Sequence, residues 1–130
     1  MNEIDVMLAQ YEWSRARILG LLEEIENEAD PQAVLAWRPG ERRAHLAWQL
    51  MHVGVTEELF ATERLVPGSK PGWPELISRF RGGSTPDDDV PSAKLLREVL
   101  EGSRSHLTAT LGRFGPEKLD KVPTPLAERS

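Results

Sequence analysis

The 130-residue chain has no cysteine, which removes disulfide staples, thiolate zinc sites, redox dithiols and a cysteine nucleophile from consideration. Any metal it binds must use nitrogen or oxygen donors. Long apolar runs are missing as well. The opening MNEIDVMLAQYEW carries Glu3 and Asp5 and has no small-residue cleavage site, so neither a signal peptide nor a membrane span is expected, and a cytoplasmic location is the default. Positive charge is scarce: 16 Lys plus Arg against 21 Asp plus Glu leave a net charge of -5, which repels a phosphate backbone and argues against nucleic acid as a partner. The local groups Arg38, Arg42, Arg43 and Arg79, Arg81 are not interleaved with stacking aromatics and read as solvated surface or small-anion contacts. No Gly-rich phosphate loop follows a strand and no GxSxG elbow occurs. Asp87-Asp88-Asp89 lacks the spaced ligands and closing glutamate of an EF-hand, and a solvated loop is expected there.

What is present is helical periodicity, and the length suits one domain over residues 1–130. Ile4, Leu8, Tyr11, Arg15, Ile18, Leu22 and Ile25 repeat at steps of four and three, predicting a first helix from about Asn2 to Asn27 with Asn2 or Asp5 as its cap and Asp30-Pro31 as its stop. Arg15 interrupts that seam, and its stem is expected along the core edge with the guanidinium in water. Residues 31–41 read as a turn leading to a second helix, Ala44 to Leu65. Pro67 to Pro74 reads as a loop, Pro74 to Phe80 as a short helix, and Ser92 as the cap of a third long helix closed by Gly115-Pro116. Nothing alternates like a β-strand for long enough to matter. Gly20, Gly54 and Gly102 fall inside predicted helices, each at roughly 1 kcal/mol against alanine, which suggests close helix approach. The four tryptophans are expected to pack structurally.

The second helix holds the candidate chemistry. Leu46, Leu50, Val53, Phe60 and Ala61 share one face, Trp48, Met51, Val55 and Leu59 nearly the opposite one, and His45, Gln49, His52, Thr56 and Glu63 run between them. A polar row bordered by two apolar stripes needs partners or a ligand. No histidine has a second donor three or four residues away on its own helix, and His45 and His52 lie about 10.5 Å apart along it, so any metal site needs donors from another helix. His45 is expected as a solvated or capping residue and His106 as a half-buried histidine with a backbone or water partner. His52 stays open between a satisfied interhelical histidine and a ligand. Glu57 projects with the Leu46 stripe as a buried acid, an Arg15 partner or an exposed carboxylate, the salt bridge being the preferred reading.

The block YEWSRARILGLLEEI, the turn Trp37-Arg38-Pro39-Gly40, the block AWQLMHVGVTEELF and the Pro91-Ser92 start of the third helix together resemble the DinB/YfiT-like proteins over nearly the whole chain. The resemblance implies an all-α, up-and-down four-helix bundle, with three long helices and a short connecting helix in this chain. It also implies a divalent metal, zinc or nickel, held by one histidine of the second helix and two histidines four apart on the fourth. The second-helix position falls on His52. The fourth-helix pair is missing, and residues 121–130 read as a linker toward that helix. His45 stands where many relatives have a serine or threonine cap. The activity implied is a metal-dependent hydrolase or thiol-dependent transferase acting on an unidentified small molecule, and a homodimer is expected because an incomplete bundle leaves the faces bearing Leu46 and Leu107 partly uncovered, at about 25 cal/mol per Å². The alternative is a non-catalytic bundle that dimerises or binds a partner through the Trp48, Met51, Val55 and Leu59 stripe.

Overall fold

A computed structural model describes residues 2–113, and its regular structure is entirely helical. Its elements are α1 (Glu3–Glu26), α2 (Pro31–Leu35), α3 (Leu46–Leu59), a π-helical turn (Phe60–Arg64), α4 (Pro74–Phe80) and α5 (Ala93–Gly112). Among the described residues there is no strand. The predicted end of the third long helix at Gly115-Pro116 and the linker at residues 121–130 lie outside the described residues.

Local chemistry sets the helix starts. Asn2 and Asp5 form a capping box at α1, the Asp5 amide donating to Asn2 Oδ1 at 2.9 Å and the Asn2 amide to Asp5 Oδ2 at 3.1 Å. Ser92 Oγ accepts the Leu95 amide at 3.2 Å to open α5. At α4, Pro74 occupies the first turn, where its missing N–H has no intrahelical partner to lose. The segment read as a plain turn, residues 31–41, contains α2: Pro31 opens it and Asp30 Oδ1 caps it by accepting the Ala33 amide at 3.1 Å. One turn of helix is too short to show a hydrophobic period, so composition alone reads it as loop.

The core forms where α3 crosses α5. Leu50, Met51, Val55 and Leu59 meet Leu96, Val99 and Leu100, and α1 adds Leu22 and Ile25. Each buried aliphatic side chain contributes about 1.5–3 kcal/mol. Gly54 permits the crossing, since a Cβ there would stand 3.0 Å from Val99 Cγ1 and 3.8 Å from the Leu100 backbone nitrogen. Gly102 serves a different purpose: the Trp73 indole lies over it, and an added Cβ would be 2.6 Å from Trp73 Cη2. Gly20 faces open space. Of the tryptophans, Trp48 and Trp73 pack against the core, whereas Trp13 and Trp37 are 63% and 61% exposed, against the expectation of structural packing for all four.

The helix expected to run straight to Leu65 widens at its last turn. The hydroxyl of Thr62 donates to the Glu58 carbonyl at 2.7 Å and that of Thr110 to the Ala61 carbonyl at 3.0 Å, so side chains meet carbonyls that the wider turn shifts away from the regular ladder. Ala61 and Thr62 thereby turn into the interior beside Leu107 and Leu111.

Candidate functional site

The polar side chains of α3 and its cap occupy three environments. His45 is fully buried and caps the helix: its Nδ1 accepts the Trp48 amide at 2.9 Å, which requires that nitrogen to be unprotonated, and its Nε2–H then donates to the Asp87 carbonyl at 3.1 Å. Both nitrogens are used, so His45 is a cap and has no lone pair for a metal. Burial pushes its imidazole below the ordinary value and the nearby Arg38 charge adds to the shift, while the Asp87 carbonyl and the Asp87 and Asp88 carboxylates oppose it.

The acidic run is exposed, as expected of a solvated loop, and two arginines reach it. Arg79 donates to both carboxylate oxygens of Asp87 at 3.2 Å and to the Asp89 carbonyl at 2.8 Å, and Arg38 reaches Asp88 Oδ1 at 2.7 Å. The Arg79 hydrogen bond holds the Asp87 carboxyl below its usual range. These arginines, read as surface charge, fasten the loop that carries the acceptor for His45.

His52 is half-buried and oriented from two sides. Its Nδ1–H donates to the Phe80 carbonyl at the end of α4 at 2.7 Å, and its ring stacks on Trp48 with centroids 4.9 Å apart and planes 9° from parallel. Gly82 borders the ring, where a Cβ would lie 3.8 Å from His52 Cε1. With Nδ1 committed to a carbonyl, the neutral ring presents its lone pair on Nε2, the arrangement in which a backbone oxygen fixes the tautomer of a ligating histidine.

The other end of α3 carries two acids side by side. Glu57 receives the guanidiniums of Arg15 from α1 and Arg104 from α5, and Ser103 Oγ stands 3.5 Å from its Oε2. Arg104 also donates to the Tyr11 carbonyl and lies over the Tyr11 ring at 4.9 Å. Arg15 is 5% exposed, so the expectation of a guanidinium in water is overturned: Glu57 across the core supplies the anion that lets the head follow its stem inward. The salt-bridge reading of Glu57 is the one observed. Burial pushes the Arg15 guanidinium below its ordinary range, Glu57 opposing and Arg104 adding to the shift.

Glu58, 2% exposed, turns the opposite way. Its carboxylate accepts His106 Nδ1–H at 3.0 and 3.1 Å and the Gly72 amide at 2.8 Å. His106 is half-buried as expected, with a carboxylate in place of the backbone or water partner. Neither Glu58 nor Arg104 stood out in the sequence as a functional candidate. A signal for Arg104 existed, because Leu100, Arg104, Leu107 and Leu111 repeat at helical spacing just as Arg15 sits in the seam of α1.

A divalent ion needs several donors converging on one point. Among the described residues no group of three or more His, Asp or Glu side chains could hold one, since His45, His52 and His106 occupy separate surroundings. The Trp48 indole N–H is buried with no acceptor, but it is a hydrogen-bond donor and cannot ligate a cation. Residues 2–113 therefore supply one oriented nitrogen and do not fit a complete metal centre. The stripe expected to face a partner lies inside the chain, with Met51, Val55 and Leu59 in the core and Trp48 packed against it.

Three long helices, a short connector and a histidine held by the α4 carbonyl define a helical-bundle protein of the class that the sequence resembles. A family model described as the DinB superfamily matches residues 10–129, and the chain belongs to that family. No curated protein and no solved structure matches it. No helix among the described residues is long and apolar enough to cross a membrane.

Proposed function

We propose that the protein is a metal-dependent hydrolase or thiol-dependent transferase in which His52 is the ligand given by the second long helix of the bundle. The observation that supports this reading is the 2.7 Å bond from His52 Nδ1–H to the Phe80 carbonyl, which directs the lone pair of the neutral ring to Nε2. The remaining donors would have to come from outside residues 2–113, which hold all three histidines of the sequence. A bound divalent ion of the zinc or nickel type would supply a Lewis acid for a water or thiol. The chain's own contribution is positional: Phe80 sets the tautomer, Trp48 fixes the ring plane, and the α3–α5 core holds both in place.

Metal analysis of natively purified protein tests the reading. Stoichiometric zinc or nickel is expected in the wild type and is lost in His52→Ala, with the far-UV circular dichroism unchanged. Absence of stoichiometric metal, or its retention in the variant, counts against the proposal.

A second reading, a non-catalytic bundle that forms a homodimer or binds a partner, is favoured by one observation. Val6 and Trp13 are exposed on the outer face of α1, where the expected α3 stripe is buried. Sedimentation at micromolar concentration tests its homodimer arm, and metal content separates it from the first reading. A dimer dissociated by Trp13→Glu that carries no stoichiometric metal supports the second reading, and a monomer removes the homodimer.

A further inference from the structure

The cluster around Glu57 contains more positive charge than negative. One carboxylate serves two guanidiniums, and Arg15 keeps Nε and Nη1 buried without any acceptor. Arg104 makes its bonds to Glu57 and the Tyr11 carbonyl and retains further N–H hydrogens on its two terminal nitrogens. Such a surplus in the interior of a chain whose net charge is -5 is the feature that calls for an anion.

A cavity of about 320 Å³ opens against the Glu57 and Arg104 side of this cluster, with Arg15 buried behind it and outside the lining. Tyr11, Glu57 and Arg104 form its polar side, and Met7, Phe60, Leu65, Leu107 and Leu111 form the rest. The π-helical turn shapes the wall: it sends Ala61 and Thr62 into the interior and leaves Phe60 half-buried at the cavity. The volume stands at the low end of small-molecule sites, which begin at about 300 Å³, and therefore suits a body of several carbons rather than a lipid or a peptide.

We propose that this cavity is a binding site for a medium-chain carboxylate, its anionic head beside Arg104 and its apolar body among Met7, Phe60, Leu65, Leu107 and Leu111. The head neutralises the charge that Glu57 leaves over, and the tail removes apolar wall from water. A bare inorganic anion lacks the second contribution and a neutral alcohol lacks the first. The site is separate from the one assigned to His52, because five residues of helix place Glu57 about 7.5 Å along the axis and roughly 140° around it.

Isothermal titration calorimetry with octanoate tests the proposal on the full chain. Saturable one-to-one binding is expected. It weakens by at least about tenfold when 1-octanol replaces octanoate and in Arg104→Met, the loss that follows removal of a charge-assisted bond. Leu65→Trp, at a half-buried position on the cavity wall, fills the space without opening the core and abolishes binding while the melting temperature is retained. Failure of octanoate to bind saturably, equal binding of octanol, or full binding by Leu65→Trp each overturns the proposal. If Arg104→Met does not fold, the octanol and Leu65→Trp comparisons decide.

Discussion

Glu57 and Glu58 are neighbours in sequence, yet their carboxylates are held by different kinds of contact. Glu57 joins α1, α3 and α5 through two guanidiniums, so it links the three long helices. Glu58 joins α3 to one imidazole and to the amide of Gly72, so it anchors a loop to the bundle. The comparison teaches that a buried acid takes its structural weight from what would be left behind without it. Removing Glu57 strands one buried and one half-buried cation, whereas removing Glu58 strands one amide and frees a histidine that is already partly in water.

The largest effect follows from that difference. Glu57→Ala should lower unfolding stability by about 3–5 kcal/mol and Glu58→Ala by about 1–3 kcal/mol, read as the midpoint shift in urea at constant m-value. Equal losses would remove the distinction. The loop side can be sharpened through Gly102. Gly102→Ala should cost about 1–3 kcal/mol in the wild type, because the new Cβ drives into Trp73, and should stabilise by up to about 1 kcal/mol in a Trp73→Ala background, where helix propensity alone is left. A double-mutant cycle with no coupling would show that Trp73 does not rest there in solution.

The smallest effect concerns His45, which does for the start of α3 what Glu58 does for the loop. Its native imidazole is held below the ordinary value of 6.5, so the unfolded chain takes up a proton first as pH falls. The stability from this group is complete above about pH 6.5 and declines as pH drops below it, since protonation of Nδ1 removes the acceptor for the Trp48 amide. Asp87 contributes in the same direction in a lower window, because its carboxyl lies below its ordinary 3.8 and its bond to Arg79 is lost only as pH falls through that depressed range. Urea midpoints at pH 7.5 and 5.5 should differ in the wild type and much less in His45→Asn, which can cap the helix without titrating.

The long helices were legible because their seams repeat over many turns. Asn2 and Ser92 mark the starts of α1 and α5 and Pro74 that of the short α4, through local chemistry that depends on neighbours alone. The π-helical turn was not legible, because its Ala61 carbonyl is answered by Thr110, 49 residues away, and the two meet only after α5 has packed against the turn. Arg15 was misread for a related reason. A charged residue in an apolar seam looks like a snorkelling side chain until a carboxylate on another helix is found opposite it. His52 was singled out by its position between two apolar stripes, but the carbonyl that orients it belongs to Phe80, 28 residues away.

Trp73 has a left-handed backbone, φ 51° and ψ 54°, a conformation that a bulky residue holds only under constraint. The constraint is the seat of its indole over Gly102, next to the tether from Gly72 to Glu58. The loop that ends at Trp73 is therefore fastened to α5 through the indole and to α3 through the Gly72 amide, two adjoining residues answering to two different helices.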